Sequence, residues 1–338
     1  MNFEYEYKNV DPGRSHFDQL IIQKKIKKDL LYIKKFEDVK EKYEIPYKHK
    51  TTNSILYILK GPKYLLLCKE VPYTEKEKTI IKTIRSAYEN GETNLFPYVY
   101  TLWHTNKKMW YIHDYYSYDF MTLLRLFKIN NITMASVIMS AIIRVLLGTI
   151  TLRRHGILHL DLHLNNILIA EAPRMIGLFK YEFPNKKSVT IPASKVDIVI
   201  SDFGLCEYYS PDNENISETI KHYFPFFHMS KGNKNNINEN VYYIDIWRFL
   251  KTLLILLAEH PFKFIRKLIS WILIFIPKLE EKILKLYDNI DGDNKTEYAE
   301  HILEIIEIIQ IEYSYALIGE KRPNIDENII ETFHLMTP

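Results

Sequence analysis

Cysteine is almost missing from this 338-residue chain, whose two thiols are Cys68 and Cys206. Two cysteines cannot build a disulfide framework and show no metal-ligand spacing, so a reducing compartment is expected, without a structural disulfide. Long apolar runs are missing too. The longest candidate, Leu268–Ile276, is flanked by Arg266, Lys267 and Lys278 and falls well short of the roughly 20 residues that span a bilayer, so it is expected to be a buried helix. Over Met1–Arg14 no positively charged stretch leads into an apolar one; a secretory leader is therefore not expected, and the chain is expected to begin functionally at Met1. Charge is nearly balanced, with a net +3. That excess is too small to argue for nucleic acid, and no interleaved aromatic and basic pattern is present, so no nucleic-acid partner is expected. No internal repeat is visible, and Lys231–Asn240 alone approaches low complexity.

What remains is a globular composition, 47% hydrophobic and 26% charged, which fits neither a disordered tail nor a fibrous repeat. Phe17–Tyr43 has a helical pattern, with Leu20, Ile26, Leu30, Ile33 and Phe36 recurring among lysines and Pro46 closing the segment. Lys24, Lys25, Lys27, Lys28, Lys34 and Lys35 crowd its other face, either as a solvated surface or as a contact for an anionic membrane or acidic partner. Ser54–Leu59 and Tyr64–Lys69 are strand-like around a Lys60-Gly61-Pro62-Lys63 turn. Thr74–Asn90 follows as a helix opened by a Thr74/Glu77 capping box. Tyr98–Trp103 and Met109–His113 are further strands. From Phe120 helices dominate, notably Thr133–His155 and Tyr243–Ala258, with short strands near Ile157, Ile167–Ile169 and Val196–Ile200. The expected class is α+β and bilobal, with a helical extension over 1–46, a small β-rich lobe over 47–115 and a larger helical lobe over 116–338, hinged near Asp114–Asp119.

Two runs carry chemistry. Gly156-Ile157-Leu158-His159-Leu160-Asp161-Leu162-His163-Leu164-Asn165-Asn166-Ile167-Leu168-Ile169 follows a long helix and precedes a strand, and Val196–Ser201 leads into Asp202-Phe203-Gly204. In that order they resemble the catalytic and metal-binding loops of the protein kinase superfamily, with Leu160 where the signature has Arg. The resemblance covers about Lys48 to His260. It implies ATP as phosphate donor and magnesium, or manganese, as the metal. Asp161 would orient an acceptor hydroxyl and take its proton, and Asn166 and Asp202 would hold the metal through hard oxygen ligands. Lys69, ending a strand, would hold the α- and β-phosphates with a helix Glu as its partner: Glu77, or Glu89 as the competitor. Tyr111–Tyr115, including Asp114, resembles the hinge where backbone groups hold adenine, and Asp119 is placed to meet the ribose. Tyr243–Trp247 resembles the buried helix whose Asp245 supports the catalytic loop; alone, Asp245 is also an ordinary acid at a helix N-terminus.

The departures matter as much. Lys48-His49-Lys50-Thr51-Thr52-Asn53-Ser54 stands where the family has a glycine-rich loop, and side chains there hinder the backbone from approaching phosphate, leaving Lys48 or Lys50 to assist. With Leu160 replacing Arg, no phosphorylation switch in the 205–240 segment is expected. His163 is reminiscent of aminoglycoside and choline kinases, where it would assist the transferring phosphate or simply fill the loop. The Leu160–Asn166 run also resembles the poxviral serine/threonine kinases of virion assembly, which implies Ser and Thr hydroxyls of proteins as acceptors, in the cytoplasm of the infected cell and in the virion. Three readings are carried forward: an active protein serine/threonine kinase, a small-molecule kinase, and a pseudokinase scaffold.

Overall fold

The computed structural model describes residues 16–62, 64–126, 132–171, 178–183, 187–192, 196–210, 214–223, 238–258, 263–285, 295–312 and 329–334. Met1–Arg14 and most of Lys231–Asn240 lie outside them. The lysine-rich segment is two helices, α1 (His16–Leu30) and α2 (Phe36–Lys42), where one was expected. Asp38 explains the break: its Oδ2 accepts from the backbone N–H groups of Lys34 (2.9 Å) and Lys35 (3.1 Å), starting a new helix. Pro46 does not close a helix; it lies inside the first strand.

Five antiparallel strands follow, β1 (Glu44–Lys50), β2 (Ile55–Lys60), β3 (Leu65–Pro72), β4 (Val99–His104) and β5 (Lys108–Asp114), in the order β1-β2-β3-β5-β4. Pro46 is tolerated because β1 is an edge strand and its pairing with β2 is irregular between Glu44 and Tyr47, where no ladder N–H is required. Alternation along β3 sorts its side chains to opposite faces. Leu66 and Cys68 join Leu59 and Ile112 in a cluster completed by Ile26, Leu30, Ile33 and Val39, so α1 and α2 cover one face of the sheet. Val71 belongs to the larger core with Ile80, Ile81 and Ile84 of α3 (Glu75–Glu89), and Lys69 shares its parity. The lysine therefore faces away from the N-terminal helices and toward the rest of the chain.

The second, helical part begins with β6 (Tyr118–Asp119), α4 (Phe120–Leu126) and the long buried α5 (Ile132–Arg154). β7 (Ile157–Leu158), β8 (Ile167–Glu171), β9 (Leu178–Glu182), β10 (Ser188–Pro192), β11 (Val196–Ile200) and β12 (Glu207–Tyr208) follow. Then come α6 (Glu214–Tyr223), α7 (Tyr243–Leu257), α8 (Lys263–Leu284), α9 (Lys295–Glu312) and β13 (Ile329–His334). The small sheets run β11-β8-β6, β12-β7 and β10-β9-β13. The hairpin β9–β10 was not anticipated, although Phe179, Tyr181, Phe183, Val189 and Ile191 alternate into the core as strand residues do. α8 corrects another expectation. Leu268, Ile272, Phe275 and Ile276 are buried, but Leu273 and Ile274 are exposed, so the helix is one-sided. No helix among the described residues is long and apolar enough to cross a membrane.

α5 meets β11 at Gly148. A Cβ there would meet Ile200 Cδ1, the far end of a buried side chain, which would have to turn aside. Gly148→Ala is expected to cost about 0.5–1.5 kcal/mol of stability by forcing Ile200 from its rotamer, read as a lower urea midpoint with an unchanged slope.

Candidate active site

The backbone marks the site first. Among the described residues, two that are not glycine have left-handed φ: Leu160 at +58° and Asp202 at +66°. An L side chain adopts this region at a cost, and such strain is retained where surrounding contacts over-determine it. Both residues lie on the two loops singled out by the sequence.

Those loops are tied together. β8 pairs with β11 in a register that sets Ile167 opposite Ile200, so Asn166, just before β8, adjoins Ser201, just after β11. The Ser201 N–H and Oγ–H both donate to the Asn166 carbonyl, at 2.8 and 3.2 Å. His159 Nε2 donates to the Ser201 carbonyl at 3.0 Å. Phe203 is buried against Phe96 and His159, with ring centroids 6.1 and 5.9 Å away. From beneath, Asp245 of α7 accepts from the His159 N–H (2.8 Å) and the Leu160 N–H (2.7 Å). Burial raises the Asp245 carboxyl above its ordinary value even though His159 and these backbone bonds oppose the rise.

Within the first loop, Asn166 Nδ2 donates to the Asp161 carbonyl at 2.8 Å and to its Oδ2 at 3.2 Å. An amide whose nitrogen is so committed keeps its oxygen for a cation. His163 Nδ1 accepts from the Asn165 N–H at 3.2 Å, which leaves Nε2 as the ring's donor, 3.6 Å from Asp161 Oδ2. Arg248 Nη2 lies 2.6 Å from Asp161 Oδ1. Burial pushes the Asp161 carboxyl up, but His163 and Arg248 together outweigh it and hold the group below the usual carboxylate range.

From the sheet, Lys69 Nζ reaches Asp202 Oδ1 at 2.8 Å. Burial disfavours the ammonium, yet Tyr111, Asp202 and Glu77 overcome that penalty and raise Lys69 above its ordinary value. For Asp202 burial acts upward, and the Lys69 charge outweighs it, so the carboxyl is lowered. Glu77 and Glu89 separate clearly. Glu89 is held elsewhere, accepting from Tyr98 Oη at 2.6 Å and Arg85 Nε at 3.2 Å. Glu77 is buried, feels Lys69, and its Oε1 has no hydrogen-bond partner among the described residues. Of the capping box, Thr74 accepts from the Glu77 N–H at 3.2 Å, while the Glu77 carboxyl is pushed up to about 7 by burial, which the Lys69 charge only partly offsets.

No known protein-family profile matches this chain. No curated protein sequence matches it either. Among solved structures it is similar to the BubR1 kinase domain, at 15% identity over 79% of this chain and 85% of that one, with a TM-score of 0.44. It is also similar to titin kinase with its flanking domains, at 12% identity and a TM-score of 0.43, covering 94% of this chain and 56% of that one. Both neighbours are kinase structures. At these TM-scores neither likeness carries an argument about this chain.

The remaining expected residues are engaged outside the Lys69–Asp202 pair. Asp114, ending β5, accepts from Tyr100 Oη at 2.7 Å, and burial raises its carboxyl to about 7. Its carbonyl accepts from His113 Nδ1 at 2.7 Å; burial holds that ring down at about 4 and therefore neutral. Asp119 accepts from the Thr122 N–H (2.8 Å) and Oγ1–H (2.7 Å), capping α4. The spacing Asp119…Thr122 carried that signal. Between β1 and β2 the glycine-free turn closes on itself, the Thr51 N–H donating to the Ser54 carbonyl at 2.8 Å. Sequence reasoning missed Arg248, stopping at Trp247, one residue short.

Proposed function

We propose that this chain transfers the γ-phosphate of ATP to Ser and Thr hydroxyls of proteins. The supporting observation is the pair of buried Lys69 with exposed Asp202, beside a strained loop that holds Asp161 and Asn166. Asp202 and Asn166 would hold a magnesium or manganese ion, whose role is to neutralise phosphate oxygens. Their chemistry fits. One carboxylate and one amide oxygen suit a hard ion that completes its shell with water and phosphate. Lys69, charged and buried, would hold the donor's phosphates, and the β5 hinge at His113–Tyr115 the adenine. Asp161, kept ionised, would orient the acceptor hydroxyl and take its proton.

The deciding experiment incubates the protein with radiolabelled ATP, magnesium and a mixture of protein substrates, followed by phosphoamino-acid separation. Label on Ser and Thr, absent with Lys69→Met, supports the proposal. Label on a hydroxylated metabolite instead would favour the small-molecule reading that His163 beside Asp161 supports. ATP binding without transfer to any acceptor would favour the scaffold reading that the glycine-free turn supports. The likeness of Leu160–Asn166 to poxviral serine/threonine kinases supports a setting in infected-cell cytoplasm and virions, which antibody labelling of infected cells would test.

The partner surface we assign to the α1–α2 turn is an anionic membrane. Leu31 and Tyr32 are 69% and 76% exposed there, among the exposed Lys24, Lys25, Lys28, Lys34 and Lys35. Lys27 is spent elsewhere, 3.8 Å from Glu89 and over the Tyr98 ring. A basic rim around two apolar tips suits a lipid interface, where each lysine contributes about 1 kcal/mol. Replacing Lys24, Lys25, Lys28 and Lys34 by Ala should weaken sedimentation with phosphatidylserine vesicles by roughly 10²-fold or more. Unaltered partitioning would sink the assignment.

A further inference from the structure

Leu160 is held in its left-handed conformation by both of its backbone polar groups. Its N–H donates to Asp245 Oδ1 at 2.7 Å, and its carbonyl accepts from Arg248 Nη1 at 2.9 Å. Asp245 and Arg248 are three residues apart at the start of α7 and share a helix face. One helical turn therefore grips residue 160 from both sides. The other arm of the same guanidinium, Nη2, lies 2.6 Å from Asp161 Oδ1. The Leu160 side chain itself is fully buried in the core, so the positive charge near this loop is delivered from α7 and not from position 160.

We propose that Arg248 is the positioning residue of the transfer site, locking the kink at Leu160 and the rotamer of Asp161 with one rigid fork. With Oδ1 occupied by Arg248, Oδ2, on the side of Asn166 and His163, is the oxygen that meets the acceptor hydroxyl. A guanidinium can do this because its donors are fixed in one plane and reach two acceptors at once; a lysine ammonium is a single point charge. The inference rests on reading Asp161 as the group that orients the acceptor.

The test compares wild type with Arg248→Ala and Arg248→Lys. In Arg248→Ala kcat should fall about 10–100-fold, as misplacement of a catalytic group does, with the KM for ATP changed less than about twofold. Guanidinium ion at millimolar concentration should restore part of the kcat of Arg248→Ala, and Arg248→Lys should remain closer to Ala than to wild type. Hydrogen exchange of the 159–162 amides, measured without substrate, should accelerate in Arg248→Ala while α5 stays protected. Unchanged kcat, or a joint loss of kcat, ATP affinity and thermal stability without guanidinium rescue, would overturn the inference. If wild type itself transfers no phosphate, the proposed function fails; unaltered exchange at 159–162 then also removes the clamp, and accelerated exchange retains it.

Discussion

Phosphate transfer should drop by at least about 10³-fold in Asp202→Asn, because metal-assisted charge neutralisation is worth several kcal/mol of barrier and an amide offers a much weaker ligand than a carboxylate. The same change removes the negative charge that faces Lys69 at 2.8 Å. ATP binding should therefore weaken along with turnover. Asp161→Asn makes an instructive contrast: about 10²–10⁴-fold is expected in kcat, the range for losing a positioned base, while nucleotide affinity stays near wild type. Pre-steady-state transfer and equilibrium nucleotide binding, measured side by side, separate the two. Retention of full turnover by either variant would remove that residue from the chemistry.

The second large effect concerns stability. Glu77 is 4% exposed, its Oε1 lacks a partner among the described residues, and burial pushes its carboxyl up to about 7 from 4.5. A carboxyl whose folded pKa exceeds its unfolded value binds its proton more tightly in the folded chain. Below about pH 4.5 both states are protonated and the group is neutral in its effect; as pH rises toward 7 and beyond, ionisation favours the unfolded chain. The shift corresponds to about 3 kcal/mol of lost stability above pH 7. Glu77→Gln should recover about that much in urea unfolding at pH 8 and almost nothing at pH 4.5, and it should transfer phosphate more slowly, since a buried charge facing Lys69 is a cost kept for function. Destabilisation at pH 8 would instead mean that Glu77 already serves Lys69 as a stabilising counter-ion in the resting protein.

The positions of the two loops were legible because their residues follow one another at short spacing along the chain. Asp161 and Asn166 sit five residues apart on one loop, and a strand delivers Asp202, so alternating apolar runs and polar interruptions identify them. Strand β3 and its Lys69 were legible for the same reason. Arg248 was not, because its partners, Leu160 and Asp161, lie 88 and 87 positions away and are chosen by packing of α7 under the loop. The break after Leu30 was missed because the lysine-rich helical period hides a local competitor, Asp38, whose carboxylate captures two backbone donors. Glu77 and Glu89 share a helix, and what separates them is tertiary: Glu77 is buried, while Tyr98 and Arg85 hold Glu89.

A strand pairing across about 150 positions sets a schedule for synthesis. β13 lies parallel to β9, joined by Ile329↔Leu178 and its neighbours, and every helix from α6 to α9 intervenes. During translation the β9–β10 hairpin therefore leaves the ribosome with one edge of β9 unpaired and must wait for β13 to arrive. An unpaired edge is a template for other chains. A polysome translating this message carries several such hairpins at once, and slowed elongation between α6 and α9 lengthens the interval in which neighbouring nascent chains can pair through them.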